Sequence, residues 1–90
     1  MLYNPRMPKY VLSAHAQTVI AERSIDPEWI ERALANPERT ESGKAPSDLR
    51  HALCRIPERE NRVLRVVYND AVDPLKIVTV YFDRTLRNKL

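Results

Sequence analysis

Residues that can bind and cleave phosphate esters recur at alternate positions in the second half of this 90-residue sequence: His51, Arg55, Arg65, Thr79 and Tyr81. Arginine binds phosphate through parallel hydrogen bonds, histidine exchanges protons near neutral pH, and tyrosine stacks on bases or donates a hydrogen bond. On one sheet face this set would hold an RNA backbone, with His51 and Arg55 contacting it, and would move the 2′-hydroxyl proton. The structural alternative is that strands favour Thr and Tyr and carry exposed Arg for solubility.

A second candidate pair, His15 and Arg23, comes earlier in the chain. Ser13 is a good N-cap, so His15 falls in the first turn of a predicted helix, where it suits acid–base chemistry or contact with an anion. Arg23 ends that helix, where a cation interacts favourably with the helix dipole. Residues eight apart lie roughly 80° around the axis, so the two side chains border one face. Packing of His15 against a neighbouring strand is an equally good alternative.

Composition excludes several classes of site. One glycine, Gly43, is too few for a glycine-rich phosphate loop, and one cysteine, Cys54, excludes an intramolecular disulfide and a cysteine zinc site. The pattern places no carboxylates beside the histidines, so we expect no metal and no cofactor. A net charge of +3 and a pI of about 9.3 permit a polyanionic partner such as RNA. No apolar run approaches the roughly 18 residues of a membrane span, so we expect no membrane contact and a soluble, cytoplasmic protein.

The elements that must position these residues form one α+β domain. Ser13 and the Asp26-Pro27 pair predict helices over about 14–23 and 27–35. Short apolar or alternating segments predict strands at 10–12, 39–42, 50–56, 62–68 and 76–82. We expect the order β-α-α-β-β-β-β, with both helices on one face of a twisted antiparallel sheet. The expected divisions are an extended arm over 1–9, the domain over 10–83 and a basic tail over 84–90.

Strand alternation assigns the side chains to two faces of the sheet. One face is apolar, is expected to lie under the helices, and contains Ala52, Cys54, Ile56, Leu64, Val66, Tyr68, Val78, Val80 and Phe82. The other face mixes apolar and polar residues and contains His51, Leu53, Arg55, Val63, Arg65, Val67, Ile77, Thr79 and Tyr81. Because a plain solvent face holds fewer large apolar residues, this second face is predicted to contact a ligand.

The segment over 15–25 resembles the His-Ala-x-x-Arg-Met-x-x-Arg-Gly-Ile opening of the DUF4258 domains. The resemblance continues in the acidic start of the second helix at Asp26 and in its Leu-x-x-Pro end over 34–37. It extends to the Leu-x-Val-Val strand over 64–67 and to the Val-Thr-Val-Tyr segment over 78–81, which is similar to the family's Val-x-Thr-Val-Tyr strand, and so covers about residues 10–82. Val19 stands where the pattern commonly has its middle arginine, and Ser24 replaces its glycine.

DUF4258 domains look like small toxin nucleases of the RelE/barnase-like group and are close in pattern to BrnT-like toxins. The resemblance implies a metal-independent ribonuclease or a relative of one, often held by an antitoxin, and it carries over His15, Arg23 and Thr79. We therefore predict a ribonuclease-like toxin domain that cleaves or binds RNA, with RNA and an antitoxin as candidate partners. Arg65 and Arg23 would hold phosphate, His15 or His51 would act as acid or base, and Tyr81 would orient the RNA. The alternative is a non-catalytic protein-interaction module with the same fold.

Overall fold

The computed structural model describes residues 9–42, 49–86 and 90. The strands are β1 (Tyr10–Leu12), β2 (Arg39–Ser42), β3 (Leu49–Ile56), β4 (Arg62–Asn69) and β5 (Leu75–Phe82). The helices are α1 (Ala14–Arg23) and α2 (Pro27–Ala35), and short 3-10 turns span Pro57–Arg59 and Arg84–Leu86. This order confirms the predicted β-α-α-β-β-β-β arrangement. Of the predicted arm over 1–9, residues 1–8 lie outside the described residues, as do 87–89 of the predicted tail.

The sheet has the strand order β1-β5-β4-β3-β2 and is mixed. The pairs β2–β3, β3–β4 and β4–β5 are antiparallel, as predicted, but β1 runs parallel to β5, with Tyr10 opposite Leu75 and Leu12 opposite Ile77. The expectation of a wholly antiparallel sheet was therefore wrong for its outermost strand. A tight hairpin forces its two strands to be antiparallel, whereas β1 and β5 are joined through both helices and three other strands, so no local turn dictates their direction.

Both helices begin at the predicted caps. The Ser13 hydroxyl oxygen accepts the Ala16 N–H at 3.0 Å and also donates to the Val78 carbonyl at 2.8 Å, which attaches the start of α1 to β5. The Asp26 carboxylate accepts the Glu28 N–H at 2.9 Å and caps α2. Among the described residues, no helix is long and apolar enough to cross a membrane.

The helices cover the apolar face of the sheet. Its buried members include Ala52, Cys54, Ile56, Leu64, Val66 and Val80, which confirms most of the predicted core face. The exception is the start of β5, where Val67 pairs with Thr79 but Tyr68 pairs with Ile77. This β-bulge leaves Val78 unpaired and reverses the alternation, so Ile77 is fully buried in the core and Val78 is not part of it. The predicted faces of Ile77 and Val78 were therefore wrong.

Candidate functional site

A groove of about 950 Å³ lies between α1 and the C-terminal half of β5, and we call it the α1–β5 groove. Thr79 and Tyr81 project from one face of β5, Val80 and Phe82 project from the other, and all of them line the groove. Side chains from both faces of one strand meet in a single groove only at the edge of that strand. The α1–β5 groove is therefore an edge site rather than a face site.

The groove side of α1 carries a histidine, a carboxylate and a guanidinium. His15, Val19 and Glu22 follow the i, i+4, i+7 spacing of one helix face, and all line the groove with Arg23. His15, Glu22 and Arg23 are exposed, so their charged or ionisable groups are open to a ligand. The sequence interpretation missed Glu22, although its spacing of seven residues from His15 was the signal that could have identified it.

The structure thus brings together four of the residues proposed from the sequence, namely His15, Arg23, Thr79 and Tyr81. Their proximity follows from the topology. β1 pairs with only the first part of β5. α1 follows β1 in the chain and lies beside the second part of β5. The two elements that resemble the DUF4258 pattern, α1 and β5, therefore form opposite walls of one groove.

The groove is also lined by arginines that the sequence did not single out. Arg59, at the end of the turn after β3, Arg62, at the start of β4, and Arg84, after β5, join Arg23 there. The other arginines of the described residues each pair with a carboxylate, and these are Arg32, Arg39, Arg50, Arg55 and Arg65. Within the described ranges, every arginine without a carboxylate partner therefore lines the α1–β5 groove.

Arg59 is held in place by two aromatic rings. Its guanidinium carbon lies 5.8 Å from the centroid of the Trp29 ring and 5.2 Å from that of Phe82. The two rings pack edge to face at a centroid distance of 6.2 Å. Cation–π contact and the fixed rings restrict the guanidinium while leaving its N–H donors available, which preorganises Arg59 to bind an anion.

Arg65 does not line the α1–β5 groove, and its charge is neutralised by carboxylates of the protein itself. Its residue is only 8% exposed, and its guanidinium pairs with Glu41 at 2.8 Å and with Asp83 at 2.9 Å. One guanidinium nitrogen also lies 2.7 Å from His51 Nδ1. We call Arg65, Glu41, Asp83 and His51 the Arg65 cluster. It reaches the groove only through Asp83, which lines it.

The contact with Arg65 determines the state of His51. An arginine can only donate, so Nδ1 must be the unprotonated acceptor in this hydrogen bond. Burial and then the Arg65 charge lower the pKa of His51, which favours the same neutral form. The structure therefore places His51 as a partner of Arg65 and does not bring it to the α1–β5 groove.

Arg55, the other residue proposed to contact RNA, pairs with Glu38. Its guanidinium lies 2.7 Å from a Glu38 carboxylate oxygen, and its backbone N–H donates to the same carboxylate. This pairing lowers the pKa of Glu38 and keeps it ionised. The structure does not place Arg55 in the groove. Among the residues that the structure describes, no three His, Cys, Asp or Glu side chains are grouped so that they could hold a metal ion.

A search of curated proteins and a search of solved structures each find no match. The family model for DUF4258, described as a domain of unknown function, matches residues 12–82. That range begins just before α1 and ends with the last residue of β5, so it includes both walls of the α1–β5 groove. The chain belongs to the DUF4258 family.

Proposed function

We propose that this domain binds the backbone of single-stranded RNA in the α1–β5 groove and cleaves it with its own side chains, as a ribonuclease-like toxin. The observation that carries the proposal is the position of Arg23, Arg59, Arg62 and Arg84, which lack carboxylate partners among the described residues and line the same groove as His15. Arginine is the side chain best suited to bind phosphate, because its planar donors match the phosphate oxygens.

The local charge of the groove exceeds what the net charge suggests. Among the described residues, the only carboxylates that line it are Glu22 and Asp83, and Asp83 is already paired with Arg65. The groove therefore presents a local excess of positive charge on a protein whose formal net charge is only +3. Such a patch attracts a polyanion and raises its local concentration.

Cleavage requires two proton transfers, and α1 presents a group for each. A base removes the proton of the 2′-hydroxyl, the 2′-oxygen attacks phosphorus, and the bond to the 5′-oxygen breaks as an acid protonates that oxygen. The products are a 2′,3′-cyclic phosphate and a 5′-hydroxyl. We assign Glu22 as the base and His15 as the acid, on one helix face and about 10 Å apart along the axis. Arg23 and Arg59 stabilise the charge that develops on the phosphate oxygens.

The toxin assignment rests on the resemblance to RelE/barnase-like and BrnT-like nucleases. A toxin of this kind acts on RNA in the cytoplasm and is held by an antitoxin. Its expression is expected to stop growth, and a small antitoxin gene is expected beside its own. The non-catalytic interaction module remains the alternative, and it predicts neither growth arrest nor RNA cleavage.

The test is cleavage of a fluorescently labelled oligoribonucleotide in the presence of EDTA. We expect His15→Gln and Glu22→Gln to lower the cleavage rate by factors on the order of 10²–10⁴ while leaving the fold intact, because both side chains are exposed. The matched control is Arg50→Gln, an exposed arginine that pairs with Asp70 and does not line the groove, and it should cleave like the wild type.

Each outcome has a defined consequence. Full cleavage by folded His15→Gln protein would contradict the assignment of the acid. RNA binding without cleavage by the wild type would restrict the function to RNA binding, and the absence of both would favour the interaction module.

A further inference from the structure

Two arginines of the α1–β5 groove, Arg62 and Arg84, take no part in the proposed cleavage step. Both are exposed, line the groove, and have no carboxylate partner within the described part of the chain. Other residues of the groove supply the base, the acid and the cations beside the scissile phosphate. Arg62 and Arg84, which we call the arginine pair, are therefore available to bind a second anionic group.

The pairing of β4 with β5 brings the arginine pair together. The Asp83 N–H donates to the Val63 carbonyl at 2.8 Å, so the β4–β5 register continues one position beyond the end of β5. Arg62 and Arg84 are the next positions in this register, and Cα atoms at opposite positions of antiparallel strands are about 4.5–5.5 Å apart. The 3-10 turn that begins with Arg84 contacts β4, as this register requires. Two guanidinium groups therefore start from adjacent backbone positions at one end of the groove.

The backbone that carries Arg84 is fixed by the preceding carboxylate. One oxygen of Asp83 accepts the Thr85 N–H at 2.9 Å and the Thr85 hydroxyl at 2.6 Å. The other oxygen pairs with Arg65 at 2.9 Å. Both oxygens of Asp83 are thus occupied, so this carboxylate holds the turn in place without neutralising Arg84.

Two adjacent cations without a counter-charge favour an anion with two charges. Like charges at opposite strand positions repel each other, and an anion between them removes the repulsion. A terminal phosphate monoester has a charge of about −1.5 to −2 at pH 7 and three acceptor oxygens, which suit the donors of two guanidinium groups. An internal phosphodiester has a single negative charge, so it compensates only one arginine. The arginine pair therefore matches the terminal phosphate of an RNA chain.

The direction of α1 places its end beside the arginine pair. The Ser13 hydroxyl attaches the start of α1 to the Val78 carbonyl. Trp29, in the first turn of α2, packs on Phe82 at a ring-centroid distance of 6.2 Å. Because α2 begins shortly after α1 ends, the end of α1 lies near the end of β5. The arginine pair lies at this same end of the groove.

The assigned acid and base then give the RNA chain a direction in the groove. Glu22 is in the last turn of α1, at the end of the arginine pair, whereas His15 is in the first turn. The base removes the proton of the 2′-hydroxyl on the 5′ side of the scissile phosphate, and the acid protonates the 5′-oxygen on its 3′ side. The 5′ end of the RNA therefore points towards the arginine pair.

We propose that the arginine pair binds the 5′-terminal phosphate of the RNA substrate, so that the domain prefers RNA with a 5′-monophosphate to RNA with a 5′-hydroxyl. This preference rests on the proposed function, because the direction of the RNA follows from the roles given to Glu22 and His15. The contact lies away from the reacting atoms, so the 5′-phosphate should lower KM and leave kcat nearly unchanged.

Competition between oligoribonucleotides tests the preference. Three competitors of one sequence, with a 5′-phosphate, a 3′-phosphate or neither, displace a fluorescently labelled tracer, and all are 2′-O-methylated so that none is cleaved. We expect the 5′-phosphate to lower the Kd on the order of tenfold and the 3′-phosphate to leave it unchanged. Equal Kd values with and without the 5′-phosphate would overturn the proposal, as would an equal or larger effect of the 3′-phosphate.

Variants test whether the preference arises at the arginine pair. In Arg62→Gln combined with Arg84→Gln, the competitors with a 5′-phosphate and a 5′-hydroxyl should bind equally, and the melting temperature should be kept because both side chains are exposed. Arg23→Gln is the control within the groove, and it should weaken both competitors while keeping the ratio of their Kd values. Arg50→Gln, outside the groove, should bind both like the wild type. A preference that survives in the double variant would overturn the proposal.

NMR of the arginine side chains separates this proposal from the proposed function. Uridine 5′-monophosphate should shift the Nε–Hε signals of Arg62 and Arg84, and uridine should not. In a protein that neither binds nor cleaves RNA, these shifts would support the phosphate subsite and contradict the RNA function, and their absence would overturn both. Binding and cleavage of RNA without any preference for the 5′-phosphate would contradict this proposal alone.

Discussion

At the scale of single residues, Arg65 shows how burial changes the expected role of a side chain. On the strand pattern alone, Arg65 is a cation on a ligand-binding face whose removal should leave stability nearly unchanged. In the structure its side chain is 10% exposed, and its guanidinium pairs with Glu41 and with Asp83, whose side chain is 12% exposed. Removing Arg65 leaves the largely buried Asp83 carboxylate without its cation, whereas Glu41 keeps its pair with Arg39, and a buried charge without a partner is costly.

We therefore expect Arg65→Ala to lower the free energy of unfolding by about 3 kcal/mol, measured by urea denaturation at neutral pH. The matched control is Arg39→Ala, which breaks an exposed pair with the same Glu41 carboxylate and should cost less than about 1 kcal/mol. Equal effects of the two variants would show that the burial of the Arg65 cluster does not contribute to stability.

Acid should weaken the Arg65 cluster in two pH ranges. Burial and the charge of Arg65 lower the pKa of His51, so His51 is protonated at a higher pH in the unfolded chain than in the folded chain. Stability therefore falls as the pH drops below the ordinary value of 6.5. Hydrogen bonds lower the pKa of Glu41, mainly from Arg65, and that of Asp83, mainly from Thr85. Their contribution is present above the ordinary values of 4.5 and 3.8 and is lost as the pH falls through the folded pKa values.

The expected result is a urea midpoint that is lower at pH 5.5 than at pH 7.5 in the wild type. His51→Gln should remove most of this decrease while keeping the further loss near pH 3. His15→Gln serves as the control, because His15 is exposed and lies outside the cluster, and it should behave like the wild type between pH 7.5 and 5.5. A decrease of the same size in the His51→Gln variant would contradict the role given to His51.

At the scale of elements, the end of α1 explains a departure from the family pattern. Ser24 stands where that pattern has glycine, and its backbone is left-handed, with φ 52° and ψ 45°. Glycine adopts this conformation without the steric cost that a Cβ imposes, so it is the preferred residue just after a helix. We therefore expect a glycine at this position to ease the turn from α1 towards α2, so that Ser24 affects stability rather than chemistry.

Ser24→Gly should accordingly stabilise the domain, by about 0.5 kcal/mol, and leave RNA cleavage unchanged. Ser13→Ala, at the other end of α1, should destabilise it by about 1–2 kcal/mol, because the hydroxyl caps α1 and donates to the Val78 carbonyl. The melting temperatures of both variants, measured by thermal unfolding, test these two predictions. A lower melting temperature for Ser24→Gly would show that the serine stabilises this turn.

At the scale of the whole molecule, the distribution of charge matters more than its sum. A formal net charge of +3 would steer a polyanion weakly if it were spread over the surface. The structure instead pairs arginines elsewhere with carboxylates and leaves those of the α1–β5 groove without such partners among the described residues. Binding of RNA should therefore depend on salt through a few local contacts.

For single-stranded RNA we expect log K to fall with log salt with a slope of about −2 to −3, at about 0.7 per phosphate contact. Arg62→Gln should reduce the slope by about one contact, and Arg50→Gln should not. Val19→Arg should increase it, because Val19 lines the groove and stands where the family pattern has an arginine. A slope near zero, or the same slope in all these proteins, would contradict binding in the groove.

Local signals in the sequence determined the elements and most of the core. Ser13 and Asp26-Pro27 start the helices by hydrogen bonds within a few residues, and alternation at Ala52, Cys54 and Ile56 identifies the face of β3 that lies under the helices. These features depend on neighbours in the chain, so they can be predicted without the fold. For the same reason the placement of His15 and Arg23 along one side of α1 could be predicted from their spacing alone.

Three features were decided by the tertiary structure alone. They are the direction of β1, the β-bulge in β5, and the set of residues that line the α1–β5 groove. Arg59, Arg62 and Arg84 carry no motif, and they line the groove because non-local pairing brings three separate segments beside α1. Arg65 is excluded from it because residues far away in the sequence, Glu41 and Asp83, neutralise its charge. Residue type and spacing indicate which groups can do chemistry, but whether a charge is free or paired depends on contacts that only the folded chain makes.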